Sequence, residues 1–152
     1  MIRDDLKTAL VSAMKSGDKA GTQTMRMISS SIKNRDIELR TATVQPDDDA
    51  LVTDVLQKMI KQRRESVEMY EKGGRAELAA IESAEIAVIE RFLPAQMSEE
   101  EARAAIGVLI AESGASSMKD MGKVMALVKE RHATSIEPAR ASALVKAALA
   151  GG

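Results

Sequence analysis

The sequence predicts an all-α protein, an N-terminal four-helix region followed by a C-terminal three-helix bundle. Three observations carry that expectation. The apolar residues are Ala, Leu, Ile, Val and ten Met, with one Phe, one Tyr and no Trp, so the aromatics that favour strands are almost absent. Apolar positions recur three and four apart along most of the chain, and no stretch alternates with the period of a strand. The clearest breakers, at Gly17, Pro46, Gly73-Gly74, Pro94 and Gly114, fall between the periodic segments.

The first helix is expected over 2–16, from Ile2, Leu6, Leu10, Ala13 and Met14, with Ser16-Gly17-Asp18 stopping it. The second covers 19–40 on Met25, Ile28, Ile32 and Leu39. Residues 41–48, TATVQPDD, read as a loop broken by Pro46. Asp47, Asp48 and Asp49 open the third helix, because carboxylates favour the positive end of a helix dipole. Contiguous acids on a helix cannot all face one ion, so capping and not magnesium binding is expected of them. This helix runs to about Lys72 and stops at Gly73-Gly74. The fourth spans about Arg75 to Phe92, with Leu78, Ile81, Ile86 and Ile89 on its face, and ends at Leu93-Pro94.

The segment PAQMS (94–98) marks a domain boundary, giving an N-terminal helical domain over 1–94 and a C-terminal three-helix domain over 95–152. Ser98 with Glu101 is a capping box for the fifth helix, built on Ala102, Ala105, Ile106, Leu109 and Ile110. Ser117 with Asp120 starts the sixth, turning Met118, Met121, Val124, Met125 and Val128 inward. The seventh begins near Ser135, with Pro138 in its first turn, and buries Leu144, Val145, Ala148 and Leu149. The methionines read as core filler.

Composition bounds the chemistry. With no Cys there is no disulfide framework, thiolate zinc site or cysteine nucleophile, and one His (His132) supplies no His-pair metal site. Two aromatics cannot form a stacking platform for single-stranded nucleic acid. No GxxxxGK[ST] loop is present. No catalytic residue, metal ligand or cofactor is therefore expected. No apolar run approaches the ~18 residues that span a membrane, and the start MIRDDLKTAL lacks a signal-peptide core. The expectation is a cytoplasmic protein without a membrane partner.

The net charge of −1 conceals an uneven distribution. Residues 113–152 hold six Lys or Arg against three acids. Lys119 and Lys123 fall opposite the methionine stripe of the sixth helix, Gly122 and Ala126 leave room beside them, and Lys129, Arg131 and His132 end that helix. The helix start Gly114-Ala115-Ser116-Ser117 offers hydroxyls and backbone N–H groups to an anion. Lys119, Lys123, Lys129 and Arg131, with Ser116 and Ser117, are the candidate RNA-binding surface. Capping by Ser117 and close packing at Gly122 are the structural alternatives. A secondary basic face comprises Arg26, Lys33 and Arg40, recurring every seven residues, with Lys58, Lys61 and Arg64 on the third helix. Its alternative is a solvated face paired with Asp36, Glu38 and Glu65. Arg63 lies inside the apolar arc of the third helix, and Glu82 and Glu85 lie inside that of the fourth. Inward charges joined by a tight Gly-Gly turn should meet, so a structural ion pair from Arg63 to Glu82 or Glu85 is expected.

The strings KQRRES (61–66), GGRAELAAIESAEIAVIERFLPAQMSEEE (73–101) and GASSMKDMGKVM (114–125) resemble the GatB/YqeY family, in order and over nearly the whole chain. The chain is similar to a stand-alone YqeY-like protein rather than to the much larger GatB subunit. The resemblance implies an N-terminal helical domain followed by a three-helix domain similar to the GatB tail. It also implies association with the glutamine-dependent amidotransferase, a carbon–nitrogen ligase that converts misacylated Glu-tRNA(Gln) or Asp-tRNA(Asn). The tail of GatB is its tRNA-contacting part, and its catalytic and kinase-like domains have no counterpart here. The segment HATSIEPARASALVKAAL (132–149) departs from relatives that carry a Gly-containing turn such as RADG, and Pro138 restarts the last helix.

Three functions follow as expectations. The first is a non-catalytic tRNA-binding accessory protein that reads phosphate and shape. The second is a protein-interaction module that docks an amidotransferase or an aminoacyl-tRNA synthetase without binding RNA. The third, an enzyme of amide transfer, lacks a nucleophile–base pair in the sequence.

Overall fold

The computed structural model describes residues 1–151. These form seven α-helices and two 3₁₀ turns, and no strand is found among them. The chain divides into two compact units, Met1–Leu93 and Pro94–Gly152.

The first unit opens with α1 (Ile2–Ser16), which ends where Gly17 adopts φ 76°, a left-handed conformation that suits a residue without Cβ. Asp18 then caps α2 (Lys19–Glu38), its Oδ1 accepting the Gly21 N–H at 2.9 Å. The last turn is 3₁₀ over Leu39–Thr41 rather than a continuation of α2. Asp47 caps α3 (Asp48–Lys72) through the Ala50 N–H, and the glycine pair at 73–74 returns the chain into α4 (Ala76–Glu90). The core joins Leu6, Met25, Ile28, Ile32, Val52, Leu56, Met59, Ile60 and Ile89, one face from each helix.

Two helix faces differ from the periodic reading. Met14 is 53% exposed while its neighbour Ala13 is buried, and Ile81 is 57% exposed. Five of the ten methionines, Met1, Met14, Met27, Met69 and Met118, are exposed, so core filling accounts for only part of them.

Arg3 ties three helices together. Its guanidinium donates to Asp36 on α2 at 2.8 Å and to Asp48 at the start of α3 at 2.8 Å, and the Ile2 N–H donates to Asp49. The hydrogen bonds from Arg3 hold the Asp36 carboxyl below the ordinary aspartate range, outweighing the opposing effect of partial desolvation. A carboxyl that ionises more readily folded than unfolded stabilises the fold above the unfolded pKa of about 3.9, and that contribution is lost as pH falls through the lower folded value. Because Asp36 is 41% exposed, Asp36→Asn is expected to cost no more than about 1 kcal/mol at pH 7. In urea melts the gap between wild type and variant closes as pH falls below about 4; a gap independent of pH would contradict the assignment.

The second unit opens with the Ser98 Oγ accepting the Glu101 N–H at the start of α5 (Glu99–Ser113). Gly114 ends it at φ 69°. A 3₁₀ turn over Met118–Asp120 leads into α6 (Met121–His132), and α7 follows over Pro138–Gly151. The core is Ala102, Ile106, Leu109, Val124, Val128, Ile136, Ala141, Val145 and Leu149. Met118 is 41% exposed and Ala148 lies at the surface, so neither takes the inward place that its spacing predicts. The divergent segment after His132 is an ordered turn: Ser135 and Ile136 N–H groups donate to the His132 carbonyl, and Ile136 drops into the core. The Met97 N–H donates to the Ser135 carbonyl, and the Gln96 side chain donates to the Thr134 carbonyl, fastening the start of this unit to that turn.

Candidate nucleic-acid interface

Around α6 the structure separates free cations from engaged ones. Lys119, in the 3₁₀ turn, and Lys129, in the last turn of α6, are exposed and make no ion pair among the described residues. Lys123 is turned onto α5, where its Nζ donates to the Ser113 carbonyl at 2.8 Å and neutralises the negative end of that helix. Arg131 is engaged by Glu112. The end of α5 thus engages two of the four cations, and the other two make no ion pair among the described residues.

The anion site expected at Gly114-Ala115-Ser116-Ser117 is occupied by the chain itself. The Ser116 N–H donates to Asp120 Oδ2 at 3.0 Å, the Ala115 N–H to Ser113 Oγ, and the Lys119 N–H to Ser117 Oγ. Ser117 therefore caps the 3₁₀ turn and Asp120 takes the place of an external anion. These contacts are local, two to four residues apart, and Ser117 takes the capping role that the sequence offered as the alternative to an anion site. The whole second unit holds seven cations against seven acids, because Glu99, Glu100 and Glu101 lie in the first turn of α5. Its net positive charge lies in the part that begins at Ser113, six cations against three acids, while Arg103 is outnumbered by the acids of α5.

On the first unit, Lys58 pairs with Asp54 and Arg64 with Glu90. Arg26, Lys33, Arg40 and Lys61 form no ion pair among the described residues. Two of the acids expected to pair with this face serve other cations, Asp36 with Arg3 and Glu38 with Arg35. The Arg63 side chain lies between α3 and α4. Its Nε donates to Glu85 Oε2 at 2.8 Å and its Nη1 to the Met59 carbonyl at 3.3 Å, while Glu82 makes no ion pair among the described residues. His132 is half-buried at the end of α6, where its carbonyl accepts the two turn N–H groups. No cluster of metal-ligating side chains is found among the described residues.

This arrangement defines a small helical protein that presents cations on both of its units. The chain belongs to the YqeY-like family: the family model described as Yqey-like protein matches residues 3–149. Among its relatives are proteins named "Altered inheritance of mitochondria protein 41, mitochondrial". That of Eremothecium gossypii is 33% identical over 90 residues, 59% of this chain and 48% of the relative. That of Kluyveromyces lactis is 33% identical over 98 residues, 62% of this chain and 51% of the relative. A Schizosaccharomyces pombe protein named as uncharacterized is 30% identical over 93 residues, 61% of this chain and 72% of the relative. The chain thus spans about half the length of the first relatives it matches. No helix among the described residues is long and apolar enough to cross a membrane.

Proposed function

We propose that the chain is a non-catalytic, tRNA-binding accessory protein of glutamine-dependent amide transfer, working in the cytoplasm beside an amidotransferase or an aminoacyl-tRNA synthetase. The observation that carries this reading is the pair of free lysines, Lys119 and Lys129, within the string GASSMKDMGKVM and the helix it opens. Ten positions of the 3₁₀ turn and α6 separate them, roughly 15 Å along the chain axis, a distance that suits two phosphates of a folded RNA and not one small anion. The family shares its name with GatB, whose tail meets tRNA, and the cation excess of residues 113–152 supports the same part of this chain. One Phe and one Tyr leave phosphate and shape as what is read.

Lysine acetylation footprinting tests the location. With saturating tRNA, Lys119 and Lys129 are protected from acetic anhydride, while Lys33 and Lys61 react as in the free chain. Protection confined to Lys33 and Lys61 would move the interface to the first unit and overturn the assignment.

A further inference from the structure

Between α1 and α2 lies an open groove of about 870 Å³ that the tRNA reading does not use. Met14 of α1 and Met27 of α2 line it and are 53% and 37% exposed. Val11, one turn before Met14 on α1 and outside the groove's lining, is 50% exposed. Lys19 and Arg26 stand on the α2 wall, exposed and without an ion pair among the described residues. The one acid of the groove, Asp18, is committed to the Gly21 N–H. From Lys19 through Arg35, α2 contains no Asp or Glu.

We propose that this groove docks an acidic amphipathic helix of a protein partner, whose apolar stripe covers Met14 and Met27 and whose carboxylates meet Lys19 and Arg26. Exposed methionines suit this task, since an unbranched, polarisable side chain adapts to more than one apolar stripe. The α2 wall from Lys19 to Ser31 is roughly 18 Å long, room for about three turns of a docked helix with anchors at i, i+3 or i+4, and i+7. A nucleic-acid strand would satisfy the cations but gain nothing from the methionine floor. The groove therefore suits a peptide. The site lies in the first unit and stands or falls independently of tRNA binding by the second.

The test uses the full chain with ¹³C-methyl methionine and a synthetic 16-residue helical peptide carrying Leu at i, i+4 and i+7 flanked by Glu. A peptide of the same composition in scrambled order is the control. The expected result is a saturable shift of the Met14 and Met27 methyl signals with the ordered peptide only. The methyl of Met69, exposed on α3 outside the groove, holds still. Lys19→Glu with Arg26→Glu weakens binding by about tenfold, while unmoved signals from the core residues Met25 and Met59 report an intact fold. No movement of Met14 and Met27 at saturating peptide overturns the proposal. So does movement of those methyls with tRNA in place of peptide, or with protein concentration alone, which would assign the groove to RNA or to a second copy.

Discussion

Replacing Arg63 by Ala lowers the free energy of unfolding by about 3 kcal/mol. Arg63 is 9% exposed, and the Glu85 carboxylate that it meets at 2.8 Å sits in a side chain 21% exposed. Removing the guanidinium leaves a largely desolvated carboxylate with no partner, while the Met59 carbonyl keeps its helical N–H donor. The loss falls at the lower end of the range for broken buried pairs because water still reaches Glu85. The double variant Arg63→Met with Glu85→Leu recovers most of it, since no orphaned charge remains and two apolar side chains fill the space between α3 and α4. Glu82→Gln changes stability by less than about 0.5 kcal/mol. Urea unfolding of the four proteins reads these differences directly. Equal losses in the Ala variant and in the double variant would show that packing, and not the ion pair, governs this position.

Reversing two lysines has the other large effect. Under the proposed function, Lys119→Glu with Lys129→Glu weakens tRNA binding by more than about tenfold and lowers the dependence of log K on log salt by roughly 2, one for each phosphate contact removed. Both side chains are exposed and make no ion pair among the described residues, so the cost to the fold stays within about 1 kcal/mol, from the acid now placed in the last turn of α6. Lys33→Glu with Lys61→Glu makes the same change of charge on the first unit and leaves affinity within about twofold. Lys123→Glu is the more ambiguous substitution, because Lys123 holds the Ser113 carbonyl at the end of α5 and its loss also loosens that helix end. If the Lys33 and Lys61 pair matters as much as the Lys119 and Lys129 pair, general charge and not a defined interface accounts for binding.

The helices were largely legible because each carries its own local signals. Asp18, Asp47 and Ser98 are caps with nearby N–H partners, and Gly17 and Gly114 are stops with positive φ, so both ends can be read within a few residues. Which apolar residue of a stripe reaches the core was less legible. Ala13 and Met14 are adjacent and both apolar, and tertiary packing alone decides that Ala13 is buried and Met14 is not. Helical spacing likewise turns Arg63, Glu82 and Glu85 inward, but which glutamate closes on the arginine depends on how α3 and α4 pack.

Long-range polar contacts left no trace in the periodic pattern. The network of Arg3 with Asp36 and Asp48 joins residues 33 and 45 positions apart. The diversion of Lys123 to the Ser113 carbonyl, ten positions away, follows from where α5 stops beside α6. Of the four cations offered for the RNA surface, Lys123 and Arg131 are engaged by α5, and Lys119 and Lys129 make no ion pair among the described residues.

The proposed binding of tRNA through those phosphate contacts is tested most directly by a fluorescence titration of labelled tRNA with the purified chain at two salt concentrations. Two contacts predict saturable binding that weakens roughly tenfold between about 50 and 200 mM salt. No binding at the lower concentration, or binding unchanged between the two, would contradict it.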